Sequence, residues 1–356
     1  MMSTTPVRTF ARIRPALSRE LHDDTRRLHR CLAQQPEQPV VHVATKPGAP
    51  VIVEEDGSCA SPDVKTFELD GVFDEAATTE SVYDQAGAPQ VECVLRGVNA
   101  TIFAYGMTGS GKSYTMLGQG DTPGVVGLAA RDLLSAAAAA PDMLTVEVGF
   151  MQLYGTLATD LLVENSVKLK IRHRGDEVAV EGQSRRRVST PADVAAVVAE
   201  GVARRKVCSQ KLNSASSRSH AALTFFVTST EISPPHETEN RTVTANHAAD
   251  DDAEAESVSV RTSKLVCVDL AGSERVKESG VQGVGLKEAQ AINLSLFHLI
   301  RVVQASGLTR TLTHTLTQPL SLPCPTTAPP SMGHVHLSTG ASSCTDERRP
   351  YVWPYV

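Results

Sequence analysis

An apolar run, Ala100-Thr101-Ile102-Phe103-Ala104-Tyr105, leads directly into Gly106-Met107-Thr108-Gly109-Ser110-Gly111-Lys112-Ser113, and this junction limits the fold more than any other feature of the chain. The octapeptide fits G-x-x-x-x-G-K-[ST], a pattern that leaves a buried strand and opens a helix. Its glycines let successive backbone N–H groups turn inward around phosphate oxygens. The lysine brings a point charge to the β- and γ-phosphates, and the final hydroxyl is a hard donor for Mg²⁺. Read alone, the same residues are also a glycine-rich strand-to-helix turn. Either way the junction needs a strand in front and a helix behind, which means a layered α/β architecture.

The remaining pattern agrees with that architecture. Of the 356 residues 41% are hydrophobic but only 4% are aromatic, so the core must be built mainly from small aliphatic side chains. Charged residues at 21%, with 24 Gly and 20 Pro, exclude a collagen, a coiled coil and a wholly disordered chain. Strands are predicted at Val7 to Ile13, Val40 to Val43, Val51 to Glu54, Thr66 to Phe73, Ala100 to Tyr105, Leu144 to Leu153, Ala221 to Thr230 and Lys264 to Leu270. Helices are predicted at Thr79 to Arg96, Val125 to Ala140 and Pro191 to Val207, the last opening on Thr190-Pro191-Ala192-Asp193 with a capping hydroxyl and an early proline. From Leu286 onward, Ala289, Ile292, Leu296, Leu299 and Val303 recur at helical spacing. The expected fold is a P-loop NTPase: a central mixed β-sheet with helices on both faces.

Charge and cysteine usage exclude several classes. A net charge of -6 argues against a surface tuned to nucleic acid. The seven cysteines are odd in number, widely spaced and free of any C-x-x-C pair, so neither a disulfide framework nor a zinc site is indicated. Met1 to Pro15 has no apolar leader segment, and no run approaches the roughly 18 apolar residues of a membrane span. A cytoplasmic protein is expected. Residues 1–304 read as one domain containing an acidic, aperiodic loop at about 231–261, expected to be disordered. Residues 305–356 read as a low-complexity tail rich in Thr, Ser and Pro.

Two further motifs complete a nucleotide site. Leu265-Val266-Cys267-Val268-Asp269 is a buried strand ending in a carboxylate, followed by Leu270-Ala271-Gly272-Ser273-Glu274. Asp269 suits a Mg²⁺ ion held through water, and the Gly272 N–H suits a γ-phosphate. Asn213-Ser214-Ala215-Ser216-Ser217-Arg218-Ser219-His220 clusters hydroxyls around one guanidinium between a helix and a strand.

Gly106 to Ser113, Asn213 to His220 and Asp269 to Glu274, in this order and spacing, resemble the P-loop, switch I and switch II of the kinesin motor domain. Arg12-Ile13-Arg14-Pro15, Asn99 to Tyr105 and Ile292-Asn293-Leu294-Ser295-Leu296 extend the resemblance over about residues 6 to 304. It implies an ATPase that couples Mg-ATP hydrolysis to microtubule binding. Arg12, Pro15 and Tyr114 would surround the adenine, and residues Gly106 through Ser113 with Asn213 and Ser216 would cradle the phosphates. Ser113, Ser217 and Asp269 would hold Mg²⁺. Arg218 and Glu274 would form the ion pair that closes the switches around the attacking water, with Gly272 on the γ-phosphate. Microtubules are acidic, and the resemblance implies that the family's contact loops match Lys168, Lys170, Arg172, His173 and Arg174 in one hairpin and Lys277 and Lys287 around switch II, each of which also reads as a solvated charge. Arg185-Arg186-Arg187 reads as a solvated face.

The chain departs from that pattern after Val303, where the family's segment resembling H-I-P-Y-R-D-S-K-L-T-R, its central strand and its neck are expected but not seen. The expectation is a motor truncated after the switch II helix. A non-motile module that binds nucleotide or microtubules without turnover is the alternative. Met107 stands where the family usually has Gln, and Ser113 where Thr is commoner.

Overall fold

The computed structural model describes residues 7–15, 39–44, 64–164, 168–174, 177–211, 218–233 and 257–273. The chain begins with β1 (Phe10–Arg12), β2 (Val40–Ala44), β3 (Val64–Glu68) and β4 (Gly71–Phe73). A helical stretch follows as α1 (Thr79–Val82), a π-helical turn (Tyr83–Gly87) and α2 (Ala88–Leu95). Next come β5 (Ala100–Ala104), α3 (Lys112–Leu117), the short β6 (Gly118–Gln119) and β7 (Thr122–Pro123), and α4 (Val125–Ala139). The second half contains β8 (Leu144–Tyr154), β9 (Leu157–Asp160), β10 (Lys170–Arg174), β11 (Glu177–Glu181), β12 (Arg186–Arg187), α5 (Pro191–Lys211), β13 (His220–Ser233) and β14 (Ser257–Asp269).

The central sheet is six-stranded, in the order β12-β8-β13-β14-β5 with β9 added to β8. All its pairs are antiparallel except β14 with β5, which run parallel and end together at Asp269 and Ala104. This one parallel pair makes the sheet mixed, and the functional motifs leave from its carboxyl ends. Strand parity then sorts the side chains. Ala100 and Ala104 of β5, Val148 and Phe150 of β8, Leu223 and Phe225 of β13, and Leu265 and Cys267 of β14 join one core with α2, α4 and α5. Phe103, Tyr105 and Val268 point to the other face, beside Leu270 and Ala271. The helix predicted from Leu286 lies outside the described residues.

Helix α5 fits this core because of a glycine. A Cβ on Gly201 would sit 2.1 Å from Phe150 Cδ1, so the helix approaches β8 closely only without a side chain there. Gly201→Ala is therefore expected to destabilise the fold by about 1–3 kcal/mol, although alanine is the better helix former. The urea unfolding midpoint of the full chain measures this.

Four expectations need adjustment. Thr66 to Phe73 is two strands, because the Asp70 carboxylate accepts from Thr9 N at 2.5 Å and turns the chain between β3 and β4. The predicted Thr79 to Arg96 helix contains the π turn, where the Tyr83 ring fills the space a Gly87 side chain would need. Tyr83 donates to Asp132 at 2.6 Å, and burial together with that carboxylate raises its pKa. The acidic loop is shorter at both ends than 231–261: β13 and β14 stay paired out to Ser233 and Ser257, and residues 234–256 lie outside the described set. The three arginines are not simply a solvated face either. Arg186 bonds Glu200 and the Leu162 carbonyl, and Arg185 lies 3.8 Å over the Phe226 ring. The predicted strand Val51 to Glu54 and residues 305–356 are outside the described set.

Candidate nucleotide site

Between β5 and α3 the chain makes a tight turn that only glycine tolerates comfortably. Gly109 has φ +80 and Gly111 φ +102, both in the left-handed region. A Cβ at Gly109 would meet nothing within 4 Å, so its φ is the constraint and the outer side of the turn is open. Lys112 is 7% exposed, and its Nζ donates to the Gly106 and Met107 carbonyls at 2.8 Å each. The ammonium thereby ties the two ends of the turn together. Ser110 is buried, with an Oγ that has no partner among the described residues.

The hydroxyl at the end of the motif reaches across to the neighbouring strand. Ser113 Oγ donates to Asp269 Oδ2 at 2.7 Å, bridging residues 156 positions apart in the chain. Asp269 is 3% exposed, and its Oδ1 is buried without a hydrogen-bond partner among the described residues. A hydroxyl beside a buried carboxylate with a spare oxygen is a donor set that suits a hard divalent cation such as Mg²⁺.

A residue that the sequence reading did not assign completes this node. Arg205 of α5 pairs with Asp269 Oδ2 at 2.7 Å, with side chains 8% and 3% exposed. It also donates through Nε to Ser219 Oγ at 3.3 Å and through Nη2 to the Ser219 carbonyl at 2.6 Å. The signal was present in the periodicity: Val194, Val197, Gly201 and Arg205 share one helical face, and a cation on an otherwise apolar face requires a buried partner. Next to it, His220 Nδ1 accepts from Ala271 N at 3.1 Å. Burial and the nearby Arg205 push the His220 pKa down to about 4, against the pull of Asp269, so the ring is neutral at pH 7. Beyond it Gly272 is buried, and Ser273 N donates to the Gly106 carbonyl at 3.1 Å, joining the two motifs.

Arg12 and Tyr114 are brought together, the guanidinium lying 5.4 Å from the ring centroid. Arg12 also donates to Thr79 Oγ1, Thr115 Oγ1 and the Ala77 carbonyl at 3.0–3.2 Å, so it is held as a rigid shelf, with Tyr114 on the surface. Pro15 is exposed, and its carbonyl accepts from Arg14 at 2.9 Å. Thr108 lies on the exposed rim of the turn. Arg218 is half-buried, immediately before Ser219. Asn213, Ser216, Ser217, Glu274, Lys277 and Lys287 lie outside the described residues. The β10–β11 hairpin presents Lys170 and Arg172 with Lys168 just before it, all three exposed, and Arg172 pairs with Glu181 at 2.8 Å. Arg174 ends β10.

A glycine turn closed by a buried lysine, set at the end of one parallel strand and bonded to an aspartate at the end of the next, defines a P-loop NTPase fold with a mixed sheet. The kinesin motor domain family matches residues 12–314, and the chain belongs to that family. It is 38% identical over 248 residues to kinesin-like protein KIN-UB of Oryza sativa subsp. japonica, covering 68% of this chain and 28% of the relative. Human centromere-associated protein E is 35% identical over 258 residues, covering 71% and 9%. Mouse kinesin-like protein KIF15 is 36% identical over 260 residues, covering 69% and 17%. The chain thus spans less than a third of the length of these relatives. A solved structure of a fast kinesin superposes with a TM-score of 0.65 at 26% identity, over 87% of this chain and 78% of that one. Nucleotide and microtubule binding are general properties of this family of cytoskeletal motor ATPases. No helix among the described residues is long and apolar enough to cross a membrane.

Proposed function

We propose that this chain binds Mg-ATP, hydrolyses it and couples the hydrolysis to microtubule binding in the cytoplasm. The observation that carries the reading is the Ser113–Asp269 hydrogen bond, which joins P-loop and switch II at the carboxyl ends of β5 and β14. Ser113 and Asp269, with Ser217, would hold Mg²⁺, Asp269 through water. When bound, the ion neutralises phosphate charge. Lys112 supplies the fixed charge for the β- and γ-phosphates, and the backbone of residues 106–113 encloses them, with Asn213 and Ser216 on the switch I side. Arg12, Tyr114 and Pro15 form the shelf for the adenine.

The Gly272 N–H meets the γ-phosphate, and the Arg218–Glu274 pair orders the attacking water and relays its proton. Phosphoryl transfer of this kind is accelerated by positioning and electrostatics more than by covalent chemistry. Lys168, Lys170, Arg172, Arg174, Lys277 and Lys287 provide the positive face for the acidic filament.

Glu274→Ala tests the hydrolytic half. Because the pair belongs to the transition state, mant-ATP affinity is expected to stay within about 3-fold while phosphate release falls about 10²-fold or more. Both are measured on one sample, with and without microtubules. Unchanged turnover would make the pair purely structural. The alternative, a module that binds without turnover, is favoured if wild-type protein cosediments with microtubules equally in ADP and in a non-hydrolysable ATP analogue and releases no phosphate.

A further inference from the structure

The end of β14 poses a problem in backbone hydrogen bonding. Strands β13 and β14 pair in unbroken register up to Ala221 opposite Asp269, and continuing that register brings Ala271 opposite Ser219. The ladder stops short of this position. The Ser219 carbonyl is taken by Arg205 at 2.6 Å, and the Ala271 amide by the His220 side chain at 3.1 Å. On its other edge β14 keeps its partner: Leu270 N donates to the Ala104 carbonyl, continuing the parallel ladder with β5, and beyond the strand Ser273 N donates to the Gly106 carbonyl, both on the P-loop side. Two strands thus separate at a fork, and two side chains cap the groups left behind. Ala271 is 1% exposed, so its N–H has no route to solvent if the cap is lost.

We propose that His220 is a positioning residue that separates β14 from β13 and aims the Asp269–Ser273 backbone at the P-loop, so that Gly272 meets the γ-phosphate. The proposal rests on the hydrolysis reading above for its kinetic consequence, but not for its geometry. The contact through which His220 positions this segment is the Ala271 amide. Because Nδ1 accepts the amide, the ring proton is on Nε2. The acceptor must therefore sit at the near position of the side chain, a requirement that a ring's bulk alone does not meet.

The test compares His220→Asn with His220→Gln in the full chain. The asparagine carbonyl oxygen falls near the position of Nδ1, whereas that of glutamine falls near Nε2. Hydrogen exchange at the Ala271 amide, mant-ATP affinity and phosphate release are followed together. In H220Q the Ala271 amide is expected to exchange about 10-fold faster or more, and turnover to fall about 10-fold, with nucleotide affinity within about 3-fold of wild type. In H220N all three are expected to stay within about 3-fold of wild type. Equal losses in both variants, or full protection of Ala271 in H220Q, would overturn the proposal. A wild-type chain that released no phosphate would end the hydrolysis reading instead, and exchange at Ala271 would still decide the role of His220.

Discussion

Lys112→Ala is expected to lower ATP affinity by about 10²–10⁴-fold and to abolish measurable phosphate release, on the basis that charge-assisted hydrogen bonds contribute about 1.5–3 kcal/mol each. The lysine has two roles at this position. It closes the turn by donating to Gly106 and Met107, and its 7% exposure places the ammonium where a phosphate would meet it without competing bulk water. Alanine removes both: the carbonyls of residues 106 and 107 lose their donor, and the turn loses its only ammonium. Titration with mant-ATP and a phosphate-release assay measure the two losses. Urea unfolding of the same variant separates them from collapse of the fold, and its midpoint is expected to move far less than affinity does. Affinity unchanged from wild type would reduce the motif to an ordinary strand-to-helix turn.

Arg205→Met is expected to destabilise the chain by about 3–5 kcal/mol, the cost of leaving one half of a buried ion pair without the other. Among the described residues Asp269 would keep Ser113 as its side-chain donor at 3% exposure, and the Ser219 carbonyl would lose the Arg205 donor. The double variant Arg205→Met/Asp269→Asn is expected to recover much of that loss, because the uncompensated charge is gone. Urea unfolding of the four proteins forms a double-mutant cycle whose coupling term measures the pair directly. Additive effects would mean that solvent reaches this carboxylate. Recovery of stability in the double variant without recovery of turnover would separate the structural use of Asp269 from the role toward Mg²⁺ proposed for it.

Much of the site was legible because local chemistry repeats in a fixed order. Gly109 and Gly111 stand where the backbone adopts positive φ, and Lys112 and Ser113 follow at the start of α3, as the octapeptide alone requires. Asp269 could be placed because four apolar residues ahead of it read as a buried strand. The hairpin holding Lys170 and Arg172 was legible through the resemblance, since its alternation is too short and too charged to identify it otherwise.

Arg205 and His220 were not assigned, for a different reason. Each owes its role to a group far away in sequence: Asp269 lies 64 positions from Arg205, and Ala271 lies 51 from His220. The sequence by itself determined the class of fold, the glycine turn, the lysine and the strand-end carboxylate, because these follow from backbone conformation and from alternation along a few consecutive residues. Only the tertiary structure decided that α5 delivers a guanidinium to Asp269, that Arg12 is held under Tyr114, and that β13 and β14 part at Ser219 and Ala271 under two side-chain caps. Those outcomes depend on which buried polar groups meet when the sheet and helices pack, and each such group in a dry interior needs a partner that only three-dimensional proximity supplies.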